Sequence, residues 1–236
     1  MIKGVMFDFS GTLFRVESTA EWVAAVATAA GLTPAEGETG AEAELAELVR
    51  RLEHFGALPG GVAPSELPAE VVDLWEVRDL TSAQHRAAYT ALTRAAAPLA
   101  GLDADALYDR HMSPAAWRPY PDAESTLREL RRRGVPVAVV SNIGWDLRPV
   151  FRSHGFDQFV DAYLLSYEFG AQKPDPTIFQ AACDHLGLAP VDVLMVGDHL
   201  AADGGATALG CAFHQVAHLP VAARPAALTP ILDLLG

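Results

Sequence analysis

The sequence predicts a doubly wound, parallel-sheet α/β core carrying a large α-helical insertion close to its first strand. Three observations predict it. Short, almost wholly apolar runs stand at 4–9 (GVMFDF), 135–141 (VPVAVVS) and 193–198 (VLMVGD), as parallel strands covered on both faces require. Helical patterns alternate with them, the grammar of an α/β sheet. Between the first run and the second lie residues 15–117, about a hundred residues rich in Ala, Leu and Glu with no convincing strand.

The first strand, 4–9, stops at a carboxylate, Asp8, and Gly11-Thr12 then reads as a turn. The insertion carries helical runs at 40–56 and 81–99, separated by GALPGGVAPSELP at 56–68; TPAEGETGAEAE at 33–44 reads as its most flexible stretch. PDAESTLRELRRRG at 121–134 offers an Asp or Ser cap at its start and Arg then Gly at its end, so a helix is expected there. DPTIFQAACDHLGL at 175–188 has Pro early and Gly late, a second helix signal. A fourth strand is expected at 212–219 (AFHQVAHL). The expected division is a core of 1–14 and 118–236 with a helical cap of 15–117.

Composition narrows the partners. The formal charge is −13, which repels a polyanion, and no basic stripe suited to nucleic acid is present. The cluster Arg131-Arg132-Arg133 falls where a helix should end, and there cations complement the terminus. Two cysteines, Cys183 and Cys211, are too few for a disulfide framework or a zinc site. The first strand begins beside Met1 and no apolar run reaches the roughly 18–20 residues of a membrane span. A soluble, cytoplasmic protein is expected, with no membrane partner; the sequence assigns no oligomeric state.

In an open parallel sheet, ligands bind beyond the carboxyl ends of the strands. Asp8, Ser141-Asn142 and Gly197-Asp198 stand at three such ends, and Asp203 follows five residues after Asp198. Several carboxylates at one sheet edge are expensive to bury unpaired. They suggest a cation, and an all-oxygen donor set suits Mg²⁺. The chain has only two lysines, Lys3 and Lys173, against fifteen arginines. Lys173, in a loop just ahead of a helix, therefore reads as chosen for its compact point charge, able to hold a carboxylate or neutralise a phosphoryl group.

Asp8-x-Ser10-Gly11-Thr12, Ser141-Asn142, Lys173-Pro174 and Gly197-Asp198 with Asp203 resemble, in order and spacing, the four motifs of the haloacid dehalogenase-like hydrolase superfamily. The stretches SYEFGAQKPDPTIF and VGDHLAADGGATALG look like the subgroup with a helical cap inserted after the first motif. The resemblance implies a Rossmann-like core and a small phosphorylated substrate. It makes Asp8 the nucleophile that forms an aspartyl-phosphate. Mg²⁺ would be bound by Asp8, the backbone carbonyl of Ser10 and Asp198, with Asp203 behind them. Ser141 would hold the phosphoryl oxygens, Lys173 would balance charge, and Gly11, Thr12 and Asn142 would line the substrate pocket.

The chain departs from the family's phosphatases at Ser10, where a second Asp normally serves as acid and base, a contribution of roughly 10²–10⁴-fold. Three readings follow. A Mg²⁺-dependent phosphatase could act on leaving groups that need no proton, or draw one from His199, whose plainer reading is a solvent-facing loop residue. A haloacid dehalogenase also lacks the second Asp, and Arg15 could bind a substrate carboxylate, but such enzymes carry an aromatic residue there and no acidic metal pair. A non-catalytic domain could bind a phosphorylated ligand or a partner protein, though a decayed site would be expected to lose some of these groups. A Schiff-base phosphonate route, which needs a lysine from the cap, is disfavoured because 15–117 contains no lysine. Trp22, Trp75 and Tyr89 could line a cap pocket, with helical core as the stronger expectation.

Overall fold

The computed structural model describes residues 1–33 and 39–235; part of the 33–44 stretch expected to be flexible lies outside them. Five parallel strands form the main sheet: β1 (Gly4–Phe7), β4 (Val137–Ser141), β5 (Ala162–Leu165), β6 (Val193–Gly197) and β7 (Ala212–Gln215), in the order β5-β4-β1-β6-β7. β1 is central: Val5 registers with Val137 on one side and Leu194 on the other. Because the chain fills one side of β1 first and then the other, the strand order reverses there, and the crevice beyond the strand tips is where such a sheet binds ligands.

Two further short strands, β2 (Phe14–Val16) and β3 (Trp117–Pro119), make a separate two-stranded sheet, a correction to the reading of 15–117 as strand-free. Three residues each, they are too short to leave a periodic signal. β5 is also absent from the sequence reading; its run AYLL is four residues long and sits at the sheet edge. β1 stops at Phe7, so Asp8 begins the loop. Likewise β7 ends at Gln215, and residues 216–219, expected to continue it, leave the sheet.

The helices are α1 (Thr19–Ala29), α2 (Thr39–His54), α3 (Val72–Val77), α4 (Ser82–Ala95), α5 (Ala104–Met112), α6 (Ala123–Arg132), α7 (Arg148–Ser153), α8 (Ser166–Phe169), α9 (Pro176–Leu186) and α10 (Leu200–Asp203). α1 opens with a capping box in which Ser18 and Glu21 bond each other's backbone N–H. α9 begins at Pro176 behind the Asp175 cap and ends at Gly187 in the left-handed region (φ 67°), as its sequence grammar requires.

The chain forms two compact units, one of residues 1–15, 79–81 and 118–236, the other of 16–78 and 82–117. Residues 79–81 lie inside the predicted insertion yet group with the sheet; the Ser166 hydroxyl donates to the Asp79 carbonyl at 2.6 Å and accepts from the Ile143 N–H at 2.9 Å. In the helical unit Trp22 is fully buried and donates to the Leu107 carbonyl at 2.8 Å. Trp75 and Tyr89 meet edge to face at 5.6 Å. Glu17, also buried, receives both ends of the Arg110 guanidinium at 2.7 and 2.6 Å.

One face of the sheet packs Met6, Val140, Leu164 and Met195 against Ile178, Phe179 and Cys183 of α9. Packing α9 here fixes where the loop in front of it, which carries Lys173, must run. Met6 is completely buried on the central strand, so Met6→Ala should cost about 2–5 kcal/mol in chemical denaturation. Val191→Ala, 68% exposed, should stay within about 0.5 kcal/mol of wild type.

Candidate active site

Asp8 is the first residue beyond β1, and its N–H donates to the Val196 carbonyl of β6 at 2.9 Å. This extends the ladder by one bond and fixes the carboxylate at the strand tip. The Lys173 ammonium, 4% exposed, donates to Asp8 Oδ1 at 2.7 Å and to Asp203 Oδ1 at 2.5 Å. Asp203 uses its other oxygen to accept the His199 N–H at 2.9 Å. Both Asp203 oxygens are thus committed to the protein, whereas the lysine engages only Oδ1 of Asp8.

Burial dominates the electrostatics of Asp8 and pushes its carboxyl up to about 7, against the pull of Lys173 and with the push of Asp203 and Asp198. Burial alone would lower Lys173, but Asp203 and Asp8 outweigh it and hold the ammonium charged, above its ordinary range. Asp198 is also penalised by burial; the hydrogen bond and charge of His218 outweigh this and keep its carboxylate below the usual value. Neighbouring carboxylates thus sit in different electrostatic states, as sites that use one as nucleophile and others as supports require.

Asp8, Asp198 and Asp203 each bring a carboxylate oxygen within 4.8 Å of the others, a grouping that could hold a metal ion. Other features fit a cation in this place. Ser10 Oγ and Thr12 Oγ1 are buried with no hydrogen-bond partner, a costly state in a finished site. Gly11, at φ +81°, brings its backbone so close that a Cβ there would lie 2.5 Å from Asp198 Oδ2. A Cβ on Gly197 would meet Asp203 Oδ2 at 2.2 Å. Both glycines leave room for the carboxylates, which a side chain would displace. The acidic oxygen-rich donors suit Mg²⁺.

The structure refines several sequence assignments. Asn142, expected to line the pocket, has both ends of its amide on the main chain of Lys173: it accepts the Lys173 N–H at 2.7 Å and donates to the Lys173 carbonyl at 2.9 Å. It therefore positions the lysine. Ser141 is buried at the tip of β4. His199 is exposed, with its ring nitrogen accepting the Ala202 N–H as the cap of α10, which supports the plainer expectation for it. Arg15 is half-buried and in electrostatic contact with Tyr120 and Asp198.

Two residues escaped sequence reasoning. His218 Nδ1 lies 2.5 Å from Asp198 Oδ2. Arg224, 4% exposed, donates to the carbonyls of Gly11 (2.6 Å) and Thr12. The one available signal was a lone Arg in the Pro- and Ala-rich stretch 220–230.

A family model described as haloacid dehalogenase-like hydrolase matches residues 2–209. The chain is 32% identical over 217 residues to (S)-2-haloacid dehalogenase 4A of Burkholderia cepacia, covering 89% of this chain and 80% of that protein. It is 31% identical over 207 residues to glyceraldehyde 3-phosphate phosphatase of Methanopyrus kandleri, covering 86% and 78%. A solved dehalogenase with an intermediate complex superposes with a TM-score of 0.64 at 25% identity, over 99% of this chain and 97% of that one. Haloacid dehalogenase-like hydrolase domain-containing protein 3 of Mus musculus and of Homo sapiens are 37% and 35% identical over shorter matches, of 45% and 59% of this chain; those matches span 43% and 52% of their own lengths. With its parallel five-stranded core and these matches, the chain belongs to the haloacid dehalogenase-like hydrolases. Among the described residues, no helix is long and apolar enough to cross a membrane.

Removing the ammonium isolates two buried carboxylates. Lys173→Met should lose about 3–5 kcal/mol at pH 8. The loss should shrink at pH 5, because Asp8, already raised to about 7, then takes up a proton in the folded state. The native variant binds more protons than its unfolded chain across this window, so its stability falls as pH rises. Urea titrations of variant and wild type at both pH values measure the difference.

Proposed function

We propose that the chain is a Mg²⁺-dependent phosphatase of a small phosphorylated metabolite, working through Asp8. The observation that carries this reading is the grouping of Asp8, Asp198 and Asp203 around a buried Lys173. Asp8 Oδ2 attacks phosphorus as the bond from phosphorus to the leaving oxygen breaks, and water then hydrolyses the aspartyl-phosphate at phosphorus. Lys173 holds Asp8 in place and balances the charge of the transferring group. Ser141, at the tip of β4, supplies a hydroxyl for the phosphoryl oxygens. Asp8, the Ser10 carbonyl and Asp198 would hold Mg²⁺, with Asp203 fixing Lys173 and the backbone of His199. Bound there, the cation would offset phosphoryl charge and lower the proton affinity of Asp8.

Ser10 has no acidic proton to give the leaving oxygen, so substrates whose leaving group departs unprotonated, such as aryl or acyl phosphates, suit the site. The helical insertion, read from sequence as 15–117, is proposed as the cap that selects substrate, and a cytoplasmic setting accompanies this reading. The glyceraldehyde 3-phosphate phosphatase relative supports the phosphate chemistry. A second reading, haloacid dehalogenation, draws on Ser10 and on the Burkholderia relative; there Asp8 would attack carbon and halide would leave. The retained pair Asp198 and Asp203 weighs for phosphate.

Hydrolysis of p-nitrophenyl phosphate should require Mg²⁺ and fall to background in Asp8→Asn. Ser10→Asp should raise turnover of alkyl phosphates by up to roughly 10²-fold and change aryl phosphate turnover far less. Turnover of 2-chloropropionate with none of any phosphate, in wild type and Ser10→Asp alike, would reverse the order of the two readings.

A further inference from the structure

Residues 216–224 are held against the Gly11-Thr12 turn by buried groups. The Arg224 guanidinium, expensive to take out of water, donates to the Gly11 carbonyl at 2.6 Å, to the Thr12 carbonyl, and to the Ala217 carbonyl at 3.3 Å. It lies 3.2 Å over the Tyr120 ring, and the Tyr120 hydroxyl donates to the Leu219 carbonyl at 2.6 Å. The residues on either side of His218 are therefore each tied down, one by Arg224 and one by Tyr120. Between these ties His218 presents Nδ1 to Asp198 Oδ2 at 2.5 Å. A carboxylate can only accept, so Nδ1 carries the hydrogen. Gly11 completes the fit: a Cβ on it would meet His218 Nδ1 at 2.3 Å.

From this clamp we infer that His218 is a positioning residue that orients Asp198 for cation binding. The inference rests on the metal-dependent reading above. The imidazole engages Oδ2, fixes the carboxylate's rotation and leaves the other oxygen for the cation. A ligating carboxylate that loses such a partner must be ordered at the moment of binding, which typically weakens metal affinity 10–100-fold. Arg224 and Tyr120 act one step further out, by holding the backbone from which His218 reaches.

Mn²⁺ binding to the purified full chain, followed by electron paramagnetic resonance with Mg²⁺ as competitor, tests this without reference to turnover. His218→Ala should bind Mn²⁺ roughly 10–100-fold more weakly than wild type. His218→Asn should recover most of the loss, because its amide nitrogen occupies the place of Nδ1. Tyr120→Phe, which keeps the ring under Arg224 and removes only the tie to Leu219, should fall between; it and His218→Asn keep the test decisive should the alanine variant fold poorly by circular dichroism. Equal Mn²⁺ affinity in wild type, His218→Asn and a folded His218→Ala would overturn the role of His218 and leave the metal reading standing. No Mn²⁺ or Mg²⁺ binding by wild type would overturn both.

Discussion

A single buried ammonium organises this protein's candidate active site. Lys173 lies between Asp8 and Asp203 and pairs with both, so removing it leaves two carboxylates uncompensated in a low-dielectric place. Each group arrives from a different direction: Asp8 from the tip of the central strand, Asp203 from the helix after β6, Lys173 from the loop ahead of α9. The pairing can form only if the sheet register and the seat of α9 are both correct. Fold and site are therefore linked by one contact.

Around it the chain supplies positioning rather than more charge. Asn142 holds the lysine backbone from both sides, and Asp203 is fixed by the His199 N–H. Gly11 and Gly197 give space where a Cβ would strike a carboxylate. Next to Asp198, Arg224 and Tyr120 build a clamp for His218 out of main-chain bonds. Asp8, the proposed nucleophile, sits in a partly neutralised frame, and the hydroxyls of Ser10 and Thr12 in the turn that follows it are buried without a hydrogen-bond partner.

Much of this was legible in the sequence, and the limits have physical causes. The core strands β1, β4 and β6 were visible because burial on both faces makes their runs continuously apolar. Asp8, Asp198 and Lys173 were visible because charge at a strand tip is costly and because lysine is rare in this chain. β5 was missed because four residues at a sheet edge carry little periodicity. The sequence run at 212–219 was read as one strand, but the ladder ends at Gln215, and that early exit frees His218 to turn toward Asp198. Nothing local marks His218, and a lone Arg in a Pro- and Ala-rich stretch is a weak mark of Arg224: their site partners lie 20 and more than 200 residues away in sequence. Asn142 was read as lining the pocket, and both ends of its amide bond the main chain of Lys173; residue type alone does not say whether an amide faces ligand or backbone.

The account stands on Asp8 forming a bond to phosphorus. Hydrolysis of an aryl phosphorothioate made chiral with ¹⁸O, carried out in ¹⁷O-labelled water, tests that directly through the configuration of the released thiophosphate. Two successive in-line displacements, through an aspartyl-phosphate on Asp8, retain the configuration at phosphorus, the result predicted here. Inversion, meaning that water displaces the leaving group in a single step with no bond to Asp8, would contradict it.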